Sequence, residues 1–160
     1  MAKLQDCQFI EIKIDGKAVA GASEEKNFNK WMEGFSEIGL ASFSGPDGTY
    51  FDGQQISILV TKETGDLFEK LLQRGYKDIT ITIIHRGSDQ YEKDYEVQRT
   101  VYTSCKVFNM NFVMREHMFM DITFTFEGNL EITFNVPNST SNGLDKIGPI
   151  KYSIPEKALK

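Results

Sequence analysis

Most of the chain alternates between apolar and polar residues with a period of two, the pattern of half-buried β-strands. The clearest alternating runs are residues 10–14, 56–60, 79–83, 118–126 and 130–136. The turn pair Gly128-Asn129 between the last two runs predicts a hairpin, although the same pattern also fits one strand that kinks at Gly128. The alternation therefore predicts a mainly β protein.

Residues 64–74 follow a helical period instead. Apolar side chains form one stripe at Leu67, Phe68, Leu71 and Leu72. Thr64 is the predicted N-cap of this helix, and Gly75 is its predicted left-handed stop. We expect one α-helix beside the strands.

Three further features organise the chain. A change of apolar phase near residues 107–109 predicts a bend, bulge or turn. The glycine-rich and proline-containing segment 44–55 is typical of a loop rather than of a regular element. Residues 138–160 are polar and turn-rich, which predicts a C-terminal extension, either an arm or a flexible tail, after a domain of residues 1–137.

Composition and charge exclude several classes of protein. A chain of 160 residues is long enough for one domain with its own core. A net charge of −5 without a cluster of Lys or Arg argues against nucleic-acid partners. The first residues, MAKLQDCQFIEIKID, lack the apolar segment of a signal peptide, and no run reaches the ~18 apolar residues of a membrane-spanning helix. We expect assembly in the cytoplasm and any secretion to proceed without a signal peptide.

No motif for catalysis or metal binding is present in the sequence. Cys7 and Cys105 have no paired spacing, so each is predicted to be a free thiol that packs as a small apolar side chain. The two histidines, His85 and His117, do not lie at metal-ligand spacing from a cysteine or from each other. The sequence thus predicts a non-enzymatic protein that needs neither a metal nor a cofactor.

The order of the segments carries a family resemblance. The segments that carry it are 13–16 (KIDG), 31–33 (WME), 64–70 (TGDLFEK) with Gly75, 79–84 (ITITII), 86–87 (RG) with Tyr95, 121–126 (DITFTF) and 146–149 (KIGP). In this order they resemble the Hcp (haemolysin-coregulated protein) family, the tube protein of bacterial type VI secretion. The resemblance covers most of the chain.

The resemblance implies a two-sheet antiparallel β-barrel with one flanking α-helix at about residues 64–74. It also implies that six copies form a ring, and that stacked rings form a hollow tube that carries effectors. The partners implied are further copies of the chain, the spike and sheath proteins of the secretion system, and the effectors. The implied role is structural, with no cofactor and no insertion into a membrane.

Two regions are candidates for contacts between subunits or rings. Pro46, Tyr50 and Phe51 lie in the predicted loop, where adjacent aromatic side chains either cover the domain's own core or form a contact surface. Asp66 and Lys70 lie on the polar stripe of the predicted helix, which faces either solvent or a neighbouring copy.

Two alternative functions stay open from the sequence. The run of Met and Phe from Phe108 to Phe126 is compatible with a monomeric barrel that binds an apolar ligand in its interior. Tail-tube proteins of phage-like particles share the same architecture, so a subunit of such a tube is the second alternative.

Overall fold

The computed structural model of the protein describes residues 8–36, 42–45, 48–51, 53–87, 95–137, 143–156 and 158–159. The strands are β1 (Gln8–Ile14), β2 (Lys17–Ala18), β3 (Met32–Phe35), β4 (Ser42–Gly45), β5 (Gly48–Phe51), β6 (Gln54–Leu59), β7 (Ile79–Gly87), β8 (Tyr95–Tyr102), β9 (Cys105–Met114), β10 (Met118–Phe126), β11 (Asn129–Pro137), β12 (Leu144–Ser153) and β13 (Ala158–Leu159). The helix described is α1 (Thr64–Leu72), between β6 and β7.

The strands form an antiparallel array that folds into two layers. Hydrogen-bonded neighbours follow the order β13-β12-β11-β8-β7-β1-β3-β6-β10-β9, and β2 pairs with β1. β4 and β5 form a separate two-stranded sheet. The described strands thus leave β9 at one end of the order and β13 at the other.

The predicted alternation is confirmed by the core. The apolar residues of the predicted alternating runs form the main core cluster, and a second, smaller cluster of Phe9, Phe28 and Ile84 is also buried. The main cluster includes Ile10 (0 % exposed), Ile12 (2 %), Ile56 (0 %), Ile58 (0 %), Ile81 (0 %), Met120 (1 %), Ile122 (0 %) and Phe124 (0 %). The interior of the barrel is therefore filled by side chains from both layers.

The predicted helix is confirmed and begins at Thr64, but the predicted N-cap and the predicted stop are wrong. Glu63 occupies the N-cap position without a side-chain cap, and Thr64 is already helical. The Thr64 hydroxyl instead accepts a hydrogen bond from the Thr61 N–H and donates one to the Thr61 carbonyl, both at 2.9 Å. The helix ends at Leu72 because Gln73 is extended, so the left-handed Gly75 (φ 106°) lies in the following loop.

The predicted hairpin at Gly128-Asn129 is wrong, because β10 and β11 pair with different partners. β10 lies between β6 and β9, whereas β11 lies between β8 and β12. The chain therefore continues through Gly128 from one layer to the other, as in the alternative of a kinked strand. The segment that joins β8 to β9 runs antiparallel to it and crosses between the two layers in the same way. Ser104 in that segment has a left-handed φ of 53°.

A bulge confirms the predicted irregularity near residues 107–109. Opposite β10, the partner of Phe124 is Val107 and the partner of Thr123 is Asn109. Phe108 is the extra residue between them, so the apolar phase of β9 changes at this point.

Part of the predicted C-terminal extension is regular structure. β12 pairs with β11 from Asn129↔Ser153 to Pro137↔Leu144, and β13 pairs with the end of β12. The described part of the tail thus extends the sheet. The division of the chain into residues 1–137 and 138–160 stays a prediction.

The segment predicted as a loop contains a hairpin. β4 and β5 pair from Ser42↔Phe51 to Gly45↔Gly48. From the sequence, the glycines of this segment were interpreted only as loop signals. Gly45 and Gly48 instead belong to two strands that cross-strand hydrogen bonds hold together.

The close approach of β3 and β6 generates a first prediction. A Cβ atom on Gly34 would lie 2.1 Å from the Ser57 carbonyl oxygen. Because that oxygen belongs to the backbone of β6, Gly34→Ala must push the two strands apart, and we expect a loss of about 1–3 kcal/mol in the free energy of unfolding. Urea denaturation measures the change.

The matched control is Gly65→Ala in the first turn of α1. Nothing lies within 4 Å of a Cβ atom at Gly65. Alanine is also a better helix former than glycine, so this variant should be as stable as the wild type or more stable by up to about 1 kcal/mol. Equal stability of the Gly34→Ala variant and the wild type would contradict the prediction.

Candidate functional site

The titratable residues of the described chain do not form a metal-binding cluster. No group of three or more His, Cys, Asp or Glu side chains in the described part has the arrangement of a metal site. Cys105 is a free, buried thiol, as predicted, whereas Cys7 lies outside the described residues. Burial raises the pKa of the Cys105 thiol to about 12, so the thiolate is scarce at neutral pH.

Across the described residues, no helix has the length and apolar character needed to cross a lipid bilayer.

The candidate site is instead a surface at the edge strand β9. Phe112 (50 % exposed), Met114 (64 %) and Met118 (37 %) lie on one face of the β9–β10 hairpin, because Phe112 and Met114 are two residues apart and Met118 pairs with Met114. We call these three residues the β9 patch. Exposed apolar side chains that cluster in this way are typical of a contact surface.

The helix α1 supports the β9 patch from one side. The rings of Phe68 and Phe112 meet edge-to-face, with 5.0 Å between their centroids. Leu67 on the same helix is fully buried and ties α1 to the core. Phe112 therefore projects from a rigid base rather than from a loop.

The backbone edge of β9 is open as well. β9 pairs with β10 along its length, and no other described strand pairs with its opposite edge. Open edges expose unpaired N–H and C=O groups and promote association with another strand. The exposed edge and two of the three residues of the β9 patch thus lie on the same ten-residue strand.

A partly buried ion pair holds the tip of the β9–β10 hairpin. Two N–H groups of Arg115 donate hydrogen bonds to the two carboxylate oxygens of Asp121 at 3.1 and 2.9 Å, and the Ser57 hydroxyl donates a third at 2.7 Å. The Arg115 guanidinium also lies over the rings of Phe35 and Phe119, 5.5 and 5.4 Å from their centroids. The network therefore ties the turn between β9 and β10 to β3 and β6.

The electrostatics of this network favour the charged carboxylate. Burial acts to raise the pKa of Asp121, but the hydrogen bonds from Arg115 and Ser57 and the positive charge of Arg115 outweigh it, so the pKa lies below its usual value. Sequence reasoning missed these residues. The available signal was an Asp in the middle of the apolar strand β10, where a carboxylate needs a partner.

No protein-family model matches the chain, and no curated protein matches it. Solved structures match it closely in fold. A variant of the Hcp1 protein from the E. coli EAEC 042 pathovar superposes with a TM-score of 0.66 at 12 % identity, covering 88 % of this chain and 97 % of that chain. A type six secretion system protein superposes with a TM-score of 0.70 at 15 % identity, covering 95 % and 99 %. Hcp1 from Salmonella typhimurium gives 0.63 at 11 % identity, covering 96 % and 99 %.

The chain has the Hcp fold. The predicted two-sheet antiparallel β-barrel with a flanking helix is confirmed, and the family resemblance of the sequence is confirmed at the level of the fold. In this Hcp fold, the β9 patch and the open edge of β9 lie beside the flanking helix α1.

The residues predicted as ring contacts lie in two separate parts of the Hcp fold. Pro46 falls outside the described residues, while Tyr50 and Phe51 belong to β5, with their side chains outside the described part. Asp66 is exposed in the first turn of α1, and Lys70 is half-buried one turn later. Their role in contacts between copies stays a prediction.

The pKa of Asp121 generates a second prediction. Because the carboxylate has a lower pKa in the folded state, its contribution to stability is fully present above the unfolded pKa of about 3.9 and is lost as the pH falls through the folded pKa. Asp121→Asn should cost about 1–3 kcal/mol at pH 7, since hydrogen bonds to a charged group are lost. The difference between the two proteins should shrink below about pH 4.

Unfolding free energies between pH 2 and pH 8 test this expectation. The control is Glu127→Gln, which removes an ion pair with Lys106 at 3.0 Å whose side chains are 58 % and 61 % exposed. Solvent screens such a pair, so this variant should stay close to the wild type at every pH. A wild-type advantage over Asp121→Asn that is constant down to pH 2 would show that Asp121 does not titrate in this way.

Proposed function

We propose that the chain is a structural subunit of a type VI secretion inner tube. In this role six copies form a ring, stacked rings form a hollow tube, and the tube carries effectors. The observation that supports the proposal most directly is the extent of the fold match. The Hcp fold spans 88 % and 95 % of this chain and 97 % and 99 % of the two solved chains with TM-scores of 0.66 and 0.70.

The surface of β9 supports assembly from physical grounds. Phe112 and Met114 are at least half exposed, and the edge of β9 has no described strand partner. Burying such a surface against another copy removes apolar area from water and satisfies backbone groups at once. The role is therefore structural, and it requires neither catalysis nor a cofactor.

The partners in this role are further copies of the chain, the spike and sheath proteins of the secretion system, and the exported effectors. Assembly takes place in the cytoplasm, and secretion of the tube follows. The β4–β5 hairpin with Pro46, Tyr50 and Phe51, and the polar stripe of α1 with Asp66 and Lys70, are proposed contacts between copies or rings.

The packed interior argues against the alternative of a barrel that binds an apolar ligand. Met120, Ile122 and Phe124 are at most 1 % exposed and belong to the core cluster. Phe112 and Met114 lie on the same face of the hairpin as Met120, but at the edge strand they are at least half exposed. The Met and Phe run thus divides between core packing and an outer surface.

Native mass spectrometry and negative-stain microscopy of the wild-type chain test the proposal. We expect hexamers and rings with six-fold symmetry. Met114→Glu places a charge in the β9 patch at a side chain that is 64 % exposed, so it should abolish the hexamer and leave the fold intact. Circular dichroism and thermal unfolding check the fold of the variant.

The matched control is Ala20→Glu, which adds the same charge at an exposed position between β2 and β3. This variant should assemble as the wild type does. A wild-type protein that stays strictly monomeric at high concentration would contradict the proposed function.

A further inference from the structure

A cavity of about 430 Å³ lies between the connection from β2 to β3 and the strands β7 and β8. Residues 25–28 of the connection form one wall, and Arg86 of β7 with Glu96 and Arg99 of β8 form the other. The volume is in the range of sites that bind small ligands. The cavity is formed within a single copy and shares no residue with the β9 patch.

Aromatic packing fixes the wall that the connection forms. Phe28 is 5 % exposed, and its ring stacks on Phe9 of β1 with 4.8 Å between the centroids. Trp31 meets the Phe28 ring edge-to-face at 5.3 Å. The Ser23 N–H donates to the Trp31 carbonyl at 3.0 Å, and the Lys30 N–H donates to the Ser23 carbonyl at 2.8 Å. Because this wall is already ordered, a ligand loses little affinity to the ordering of the protein.

Two arginines are held in the cavity wall by ion pairs and by aromatic rings. Arg99 donates two hydrogen bonds to the Glu96 carboxylate, at 3.1 and 2.7 Å, and its guanidinium lies 6.0 Å from the centroid of the Trp31 ring. Arg86 donates to the Glu25 carboxylate at 3.2 Å and lies over an aromatic ring of β1 at 5.0 Å. Both guanidinium groups are therefore positioned before a ligand arrives.

The side chains around the cavity carry charges of both signs. Lys26, Arg86 and Arg99 are positive, whereas Glu25 and Glu96 are negative. No described residue pairs with the Lys26 ammonium or with Nη1 of Arg99, and one carboxylate oxygen of Glu25 also lacks a described partner. A ligand with charges of one sign would meet like charges in this wall, whereas a ligand with both signs can pair with each.

We propose that this cavity binds a small zwitterion, such as an amino acid or a short peptide. Its carboxylate pairs with Lys26 and Arg99, and its ammonium group pairs with Glu25. Hydrogen bonds between charged groups are about twice as strong as those between neutral groups, so the two ends of the ligand supply most of the affinity. The bound ligand joins the connection to β8. This site goes beyond the proposed function, because one copy suffices to form it.

Glycine, Gly-Gly and Gly-Gly-Gly test the proposal, because they differ in the separation of their two charges. Isothermal titration calorimetry of the wild-type chain should show that at least one of these probes binds, with one ligand per chain. The N-acetylated form of that probe lacks the ammonium group, and its C-terminal amide lacks the carboxylate. Each modified form should bind at least about ten-fold more weakly, since a contact to a charged group is lost.

Two variants identify the residues that hold the probe. Glu25→Gln removes the partner of the ammonium group, so the probe should bind about ten-fold more weakly. The affinity for the N-acetylated form should not fall, because that form lacks the ammonium group. Lys26→Gln, at an exposed position, should weaken the probe several-fold because it removes one of two partners of the carboxylate.

The matched control is Glu24→Gln. Glu24 is exposed and adjoins Glu25 in sequence, but it does not line the cavity. This variant should bind the probe as the wild type does. Circular dichroism and thermal unfolding check that all three variants are folded.

Three results would overturn the zwitterion site. The first is the absence of binding by all three probes. The second is equal affinity of the wild type for a probe and for its acetylated or amidated form. The third is binding that both Glu25→Gln and Lys26→Gln leave unchanged. None of these results bears on the proposed function, which the search for rings decides separately.

Discussion

The barrel depends on the place where two paired strands leave one layer and enter the other together. The Thr103 N–H donates to the Asn129 carbonyl at 3.0 Å, and the Glu127 N–H donates to the Ser104 carbonyl at 3.0 Å. The Thr103 hydroxyl accepts a further hydrogen bond from the Asn129 N–H at 2.6 Å. A Cβ atom on Gly128 would lie 2.3 Å from that hydroxyl oxygen. The two crossing segments approach this closely only because residue 128 is a glycine.

This crossing explains why the surface at β9 exists. The crossing sends β9 and β10 into the layer of β6, while β8 and β11 stay in the layer of β7 and β1. At this corner, the chain runs directly from one layer into the other. No described backbone pairing joins β9 to β7. β9 therefore keeps an open edge, and α1 covers the adjoining core with Leu67 and Phe68. The Arg115–Asp121 pair then holds the hairpin that carries the exposed Met and Phe side chains.

The sequence predicted those features that depend on nearest neighbours along the chain. A period of two identifies which side of each strand is buried, because successive side chains point to opposite faces. Ile10, Ile12, Ile122 and Phe124 are buried for this reason. Pairing is not local, and the same alternation suits any antiparallel partner. The hairpin predicted at Gly128 was wrong because a glycine at a crossing and a glycine in a turn look alike in sequence.

The sequence by itself thus determined the strand faces, the presence of the helix α1, an irregularity near residues 107–109 and the resemblance to the Hcp family. Only the tertiary structure decided which strands are neighbours, that residues of the C-terminal segment form β12, and which apolar side chains stay outside. The physical reason is that alternation specifies a face but not a partner. Met114 and Met120 have the same side chain, and both stand at even-numbered positions of the alternating pattern. Met120 is 1 % exposed because it lies on the core face of a strand paired on both sides, whereas Met114 is 64 % exposed at the end of an edge strand.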